Sequence, residues 1–280
     1  MRIRGEPEIQ IKTPEQITVM REAGLLVART LNMLAEAAQP GVTTEDLDQI
    51  AEREITGAGA TPSFKGYHGY PATICTSVNE EIVHGIPSPA KALRPGDVIS
   101  IDCGAIVRGW HADAALTVGV GEIAVDRRRL LTACEDALWA GLAEARAGQR
   151  LSDISHAVER SAKAAGPYGI VEEYVGHGIG TEMHMDPAVP NYGRPGRGPA
   201  LAVGMALAVE PMLVLGKRHT RQLADGWTVV SADGSPAAHF EHTVAITADG
   251  PWVLTALDGG QSRLADGAAA GARSDHVTST

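Results

Sequence analysis

Gly96-Asp97-Val98-Ile99-Ser100-Ile101-Asp102 and Gly204-Met205-Ala206-Leu207-Ala208-Val209-Glu210 each run from a glycine through a mostly apolar stretch to a carboxylate. The two terminal acids lie 108 positions apart. Each closes a run that reads as a buried strand, and an acid there is costly unless it is paired or bound to a metal. Two such acids at matching points predict two halves of a duplicated chain converging on one charged site. Other traces follow the same order. Leu34-Ala35-Glu36-Ala37 recurs as Leu142-Ala143-Glu144-Ala145. Gly41 precedes Asp46-Leu47 and Glu52-Arg53 as Gly148 precedes Asp153-Ile154 and Glu159-Arg160. His84-Gly85-Ile86 is echoed by His177-Gly178-Ile179. One repeat of this length describes two fused half-domains, not a solenoid array.

Around these runs the pattern alternates helix pairs with strands. Thr13-Pro14-Glu15-Gln16 reads as a helix start, with a capping threonine, proline at the first position and glutamine three residues on. Ile17, Met20, Val27, Leu31 and Leu34 form its apolar stripe, and Pro40-Gly41 ends it. Thr43-Thr44-Glu45-Asp46 starts a second helix running to about Ile55. Residues 73–83 read as strands, and 97–107 with 110–120 as a hairpin around Arg108-Gly109. Helices near 126–146 and 152–165 repeat the first pair, and strands and loops fill 168–255 with a turn at Ala224-Asp225-Gly226. The order predicts an α+β fold of duplicated helix–helix–antiparallel-strand halves. The expected organisation is a short extension over 1–12, one domain over 13–255 with repeats near 13–122 and 123–255, and a disordered tail from Ala256 to Thr280.

Composition narrows the function class. With 44% hydrophobic residues, the 280-residue chain can bury a sizeable core without staples. No run approaches the roughly 18 apolar residues of a membrane span. The start MRIRGEPEIQIK lacks the apolar segment of a secretory signal. Cys75, Cys103 and Cys134 cannot all pair within one chain, which favours a reducing compartment. A formal net charge of -10 argues against nonspecific nucleic-acid binding.

In the hairpin, a two-residue turn at 108–109 sets Asp113 opposite Gly104. Asp102, two residues from Gly104, then shares a face with Asp113 as its diagonal neighbour. Two acids on one face repel unless a cation lies between them. In Val175-Gly176-His177-Gly178-Ile179-Gly180 the glycines leave the imidazole open, although a lone histidine in such a loop is more often structural than a ligand, and the same holds for His184. Glu210 meets Pro211, which ends or kinks its strand. Glu241, in His239-Phe240-Glu241-His242-Thr243, would alone read as solvated. Together, Asp102, Asp113, His177, Glu210 and Glu241 give four carboxylates and one imidazole. That set suits manganese, iron, cobalt or zinc, and no CxxC pair or HExxH occurs. The charge is enough for two ions about 3.5–4 Å apart, whose acidified water suits amide hydrolysis. Gly119-Val120-Gly121-Glu122-Ile123-Ala124 fits a relaxed dinucleotide-binding spacing, but Glu122 would repel a pyrophosphate.

Ser77-Val78-Asn79-Glu80, His84-Gly85-Ile86-Pro87, the Asp102/Asp113 pair, Gly176-His177-Gly178-Ile179-Gly180, Glu210-Pro211-Met212 and Glu241-His242-Thr243 together resemble type I methionine aminopeptidase. The similarity runs from about Ile11 to Leu254. It implies the two-fold pita-bread fold of the creatinase/aminopeptidase group. It also implies roles. Asp113 and Glu241 would bridge two metals, Asp102 would complete one site, and His177 with Glu210 the other. Glu210 would help deprotonate the attacking water, His184 would stabilise the oxyanion, and His84 would assist protonation of the leaving amine. The backbone of Asn79 matches a position that holds a monovalent cation in some members. The methionine pocket would comprise Tyr67, Tyr70, Cys75, Met183 and Trp227, with Phe64 at its edge. Glu210 and Glu241 are only 31 positions apart, which leaves no room for the helical insertion of type II enzymes. Prolidases and aminopeptidase P share the five ligands but usually add a large N-terminal domain. The resemblance implies a cytoplasmic, monomeric enzyme that takes initiator methionine from nascent chains with a small second residue. It would associate transiently with the ribosome, with no membrane or specific nucleic-acid partner. An X-Pro hydrolase on the same fold, and a non-catalytic relative that binds ribosomes or RNA, are the alternatives.

Overall fold

The computed structural model describes residues 8–265. Helix α1 (Pro14–Ala37) opens with the expected reciprocal cap: Thr13 Oγ1 accepts the Gln16 N–H, and Gln16 Oε1 accepts the Thr13 N–H. Helix α2 (Thr44–Gly57) repeats the device with Thr43 and Asp46. Strands β1 (Thr61–Pro62), β2 (Ile74–Val78), β3 (Glu81–Val83), β4 (Val98–Val107) and β5 (Trp110–Gly119) follow. The second half brings α3 (Val125–Ala143) and α4 (Leu151–Ala165), then β6 (Gly169–Ile170), β7 (Gly176–Gly178), β8 (Met185–Val189), β9 (Ala206–Val209) and β10 (Met212–Val214). Strands β11 (Thr220–Gln222), β12 (Val229–Ser231), β13 (Ala237–His239), β14 (Glu241–Thr247) and β15 (Gly250–Val253) complete it.

The main sheet has nine strands, ordered β1-β4-β5-β14-β9-β7-β8, with β2 also paired to β4 and β15 to β14. Its neighbouring pairs are antiparallel. The apolar residues of alternate parity face the helices. Ile99, Ile101 and Cys103 of β4 pack with Leu26, Leu31 and Leu34 of α1 and with Leu47 and Ile55 of α2. Leu207, Val209, Val244 and Ile246 pack with Leu130, Leu138 and Leu142 of α3 and with Ile154 and Val158 of α4. Each half therefore buries one sheet face under its own helix pair, as two-layer packing requires.

The duplication is visible in backbone detail. Gly41 and Gly148 have φ of 91° and 92°, and Gly96 and Gly204 have φ of 92° and 93°. Glycine supplies this left-handed geometry at no steric cost. Isolated bridges join Thr43 to Ala92 and Arg150 to Ala200, at matching places in the two halves. The echo between His84 and His177 does not correspond, however. Ser77 faces Ser100, and His177 faces Ala208, which lies 108 positions after Ser100. Ser77 is thus the register counterpart of His177, while His84 follows β3 in a left-handed conformation, φ 59°.

Residues 256–265 depart from the expected disordered tail. The Arg21 guanidinium of α1 donates to the carbonyls of Leu254 and Ala256 at 2.6 and 2.5 Å, and to that of Leu257 at 2.8 Å. A helical turn over 261–265 follows, and Arg263 pairs with Asp136 at 2.9 Å while lying over the Trp139 ring. Polar anchoring of backbone carbonyls holds this segment, which is why a search for apolar periodicity missed it. The rest of the expected tail, 266–280, and positions 1–7 lie outside the described residues. Among the described residues no helix is long and apolar enough to cross a membrane.

Candidate metal centre

The hairpin sets the first two acids. Arg108 and Gly109, with φ of 48° and 81°, make the two-residue turn between β4 and β5. Gly104 then faces Asp113, and Asp102 faces Ala115. Ala115 also faces Glu241 of β14, so Asp102, Ala115 and Glu241 form one cross-strand row. The neighbouring row runs through Thr243, Ala208 and His177. Asp113 joins it through Thr243, whose hydroxyl accepts the Asp113 N–H at 3.0 Å and donates to the Asp113 carbonyl at 2.8 Å. Glu210 lies two residues beyond Ala208, in the break between β9 and β10, where Asn191 donates to its carbonyl at 3.0 Å. Five adjacent strands or strand ends, β4-β5-β14-β9-β7, thus each bring one ligand-type side chain to one face. Ala115 and Ala208 put only methyl groups between the acids, whereas the space over Gly104 is taken by Ser63 and the Phe64 ring.

The arrangement fits a cation. One ligand atom each from Asp113, His177 and Glu241 converge within 4.8 Å, and all three residues are buried. Asp102 Oδ1, Asp113 Oδ1 and Glu241 Oε1 are buried without a hydrogen-bond partner, a costly state that a bound ion removes. His177 Nδ1–H donates to the Gly178 carbonyl at 3.0 Å. That fixes the tautomer and turns the Nε2 lone pair inward, where Glu210 Oε1 lies 3.5 Å away. Two acceptors facing each other at that distance fit a metal between them. Burial, reinforced by the charges of Glu241 and Asp102, raises the Asp113 carboxyl well above its ordinary range. Burial raises those of Glu210 and Glu241 likewise, and that of Asp102 to about 7. Burial pushes His177 down to about 3, so the imidazole is neutral at physiological pH. Oxygen-rich donors with one imidazole suit divalent manganese, iron, cobalt or zinc.

A single cavity, open to solvent, is lined by Phe64, Tyr67, Tyr70, Cys75, His84, Asp102, Asp113, His177, Met183, His184, Glu210, Trp227 and Glu241. These are the residues singled out from sequence for the metals, the histidine pair and the pocket. Its apolar end is a cluster of Phe64, Tyr70, Cys75 and Met183, with Tyr67 and Trp227 against it. The rings of Tyr70 and Trp227 meet edge to face at 5.0 Å. Asp225 holds Trp227 in place by accepting the backbone N–H groups of Trp227 and Thr228, both at 2.9 Å. Burial raises the Cys75 thiol, which makes it a packing residue rather than a nucleophile. His184 stands between the two ends: its ring lies 4.4 Å from that of His177, and its Nδ1 is 2.9 Å from Tyr67 Oη. His84 is pushed down to about 4 by burial and packs edge to face on Tyr174 at 5.8 Å.

The Asn79 carbonyl accepts the Ala237 N–H at 2.8 Å, and the Asn79 Oδ1 accepts from Arg127 Nη1 at 2.7 Å. The Gly119–Ala124 stretch is no nucleotide loop. A side chain on Gly119 would run into Ile123, so that glycine serves packing.

Two histidines near the centre were not singled out from sequence. His111 bonds Ser63 Oγ through Nδ1 at 3.0 Å, and burial together with the nearby His184 lowers it to about 4. His239 has Nε2 3.8 Å from Glu210 Oε2 and 4.0 Å from Glu241 Oε2. Each stands two residues before a metal-site acid, Asp113 and Glu241, and the two-residue period of a strand was the available signal.

Comparison with known proteins identifies the family. The family model described as metallopeptidase family M24 matches residues 18–248. The methionine aminopeptidase of Clostridium acetobutylicum is 53% identical over 247 residues, covering 88% of this chain and 98% of that protein. Methionine aminopeptidase 1 of Mycobacterium tuberculosis is 52% identical over 259 residues, covering 91% and 97%. The crystal structure of methionine aminopeptidase from Thermotoga maritima superposes with a TM-score of 0.86 at 41% identity, covering 88% of this chain and 99% of that one. The prolidase from Pyrococcus furiosus, at 22% identity and a TM-score of 0.70, shares the fold. The chain belongs to metallopeptidase family M24, among its methionine aminopeptidases, with the pita-bread α+β fold.

Proposed function

We propose that the chain removes initiator methionine from nascent proteins whose second residue is small, using two divalent metal ions held by Asp102, Asp113, His177, Glu210 and Glu241. The observation that carries this reading is the single cavity that joins the acidic floor to the apolar end formed by Phe64, Tyr70, Cys75, Met183 and Trp227. An unbranched thioether fits an apolar, aromatic-walled slot, and a free α-amine fits the anionic floor. Bound there, the ions would supply polarisation of the peptide carbonyl and acidification of water. Glu210 would take up a proton at its carboxylate. His184 donates from Nε2 to the oxygen on which negative charge develops, and Tyr67 Oη holds its Nδ1. His84 assists proton transfer to the departing amine nitrogen. The reading includes work in the cytoplasm as a monomer in passing contact with the ribosome, without a membrane or specific nucleic-acid partner.

The test is a panel of peptides with manganese-, iron- or cobalt-loaded protein. Met-Ala-Ser is expected to release methionine and Met-Lys-Ser is not. Absence of cleavage of every Met-initiated peptide across these metals overturns the reading, and preference for Ala-Pro over Met-Gly-Met-Met replaces it with an X-Pro hydrolase.

A further inference from the structure

The metal centre holds one polar atom to which neither the ligand set nor the proposed mechanism gives a role. His239 Nε2 is buried and has no hydrogen-bond partner, and buried polar atoms rarely stay so. The residue itself is only 2% exposed. It stands at the end of β13, opposite Met212 of β10. Its backbone is clamped from the main sheet as well. The Thr117 hydroxyl accepts the His239 N–H and donates to the His239 carbonyl, each at 2.8 Å, and lies 2.8 Å from Ser100 Oγ. The ring is therefore rooted from two sides and aimed at the acids.

We propose that His239 is a positioning residue for the metal centre, its Nε2–H donating to the Glu210 oxygen that faces away from His177. Glu210 lies between two imidazoles: Oε1 is 3.5 Å from His177 Nε2, and Oε2 is 3.8 Å from His239 Nε2. The second separation exceeds a direct hydrogen bond, and a small rotation of the carboxylate closes it. Glu241 Oε2 is slightly farther, at 4.0 Å. Carboxylate ligands of metals are commonly held by such outer hydrogen bonds, which orient them and tune their basicity. With Oε2 committed to His239, Oε1 stays turned toward the His177 side of the centre. His239 is not itself one of the converging ligands, which are Asp113, His177 and Glu241. Among the described residues no other side chain does this job: Ala115 and Ala208 carry no polar side-chain atom, and the Thr243 hydroxyl is committed to the Asp113 backbone.

The inference rests on the metal-centre reading above, and the experiment separates the two. Chelator-stripped full-length protein is titrated with manganese by calorimetry, as wild type and as His239→Gln, His239→Asn and His239→Leu. Thermal melting and kcat and KM on Met-Ala-Ser are measured alongside. Glutamine places an N–H donor at nearly the reach of Nε2; asparagine is equally polar but too short. The Asn and Leu variants are expected to bind manganese about tenfold or more weakly at unchanged stoichiometry, with kcat reduced and KM little changed. The Gln variant is expected to recover most of both. If the Leu variant fails to fold, the contrast between Gln and Asn decides. Wild-type affinity in the Asn variant, or a lowered melting point with unchanged affinity, overturns the proposal, and loss of one metal equivalent makes His239 a ligand instead. A wild type that neither binds manganese nor cleaves methionine peptides overturns the underlying site reading.

Discussion

His184 can donate to a carbonyl oxygen only from a protonated Nε2, and burial keeps the ring neutral by lowering its pKa. A neutral imidazole carries one ring proton, so the partner of Nδ1 decides where it sits. That partner is Tyr67 Oη at 2.9 Å. When the phenol donates to Nδ1, the proton is held on Nε2, facing the metal end of the cavity. Tyr67→Phe keeps the ring against the pocket and removes only this bond. A neutral hydrogen bond contributes about 1 kcal/mol net, which predicts a roughly fivefold fall in kcat. KM for Met-Ala-Ser should change little, because the apolar wall remains. Steady-state kinetics of the variant check this; a rise in KM at constant kcat would instead assign Tyr67 to side-chain binding alone.

At the scale of elements, the site is a consequence of register. A hairpin with a two-residue turn at 108–109 leaves no freedom in what faces what, so the Asp102–Asp113 diagonal was legible from spacing alone. The positions of Ala115 and Ala208 between the acids were not, because they depend on β14 and β9 pairing across long stretches of chain. His239 escaped for a related reason. It belongs to a short separate strand, and only the fold shows that its ring turns toward Glu210. Segment 256–265 escaped because its anchor, Arg21, is more than 230 positions away. Gly104 shows how tightly the elements meet. A Cβ there would lie 2.8 Å from Ser63 Cβ and 2.9 Å from the Phe64 ring, so β4 can approach the Phe64 segment only without a side chain. Gly104→Val should push that segment outward, costing about 1–3 kcal/mol as overpacking usually does. It should also raise KM for methionine peptides through displaced Phe64. Urea denaturation and KM together check it; a stability loss with unchanged KM would detach Phe64 from the pocket.

Over the whole molecule, duplication supplies two sheet halves that meet at β5 and β14, and the acids collect where they join. The molecule thereby concentrates four carboxylates in a space that burial makes unfavourable for charge. A carboxyl whose native pKa is raised contributes stability below its unfolded value, near 4, and loses it as pH rises through the native value. For Asp102 that native value is about 7, so at pH 8 the metal-free protein bears the full cost of its charge. Metals reverse the sign, since they need the ionised form. At about a hundredfold excess over Kd a single ion contributes about 2.7 kcal/mol, which for a chain of this size is a rise in Tm of about 5 °C. Asp102→Asn removes one acid and, in the proposed site, one metal ligand together. Without metal at pH 8, the variant is expected to melt above the wild type; with manganese the order inverts, because the wild type gains the metal term and the variant gains little. Melting curves of both proteins with chelator and with manganese check the crossing. A variant that melts lower than the wild type in chelator would show that Asp102 is paired within the protein rather than waiting for a cation.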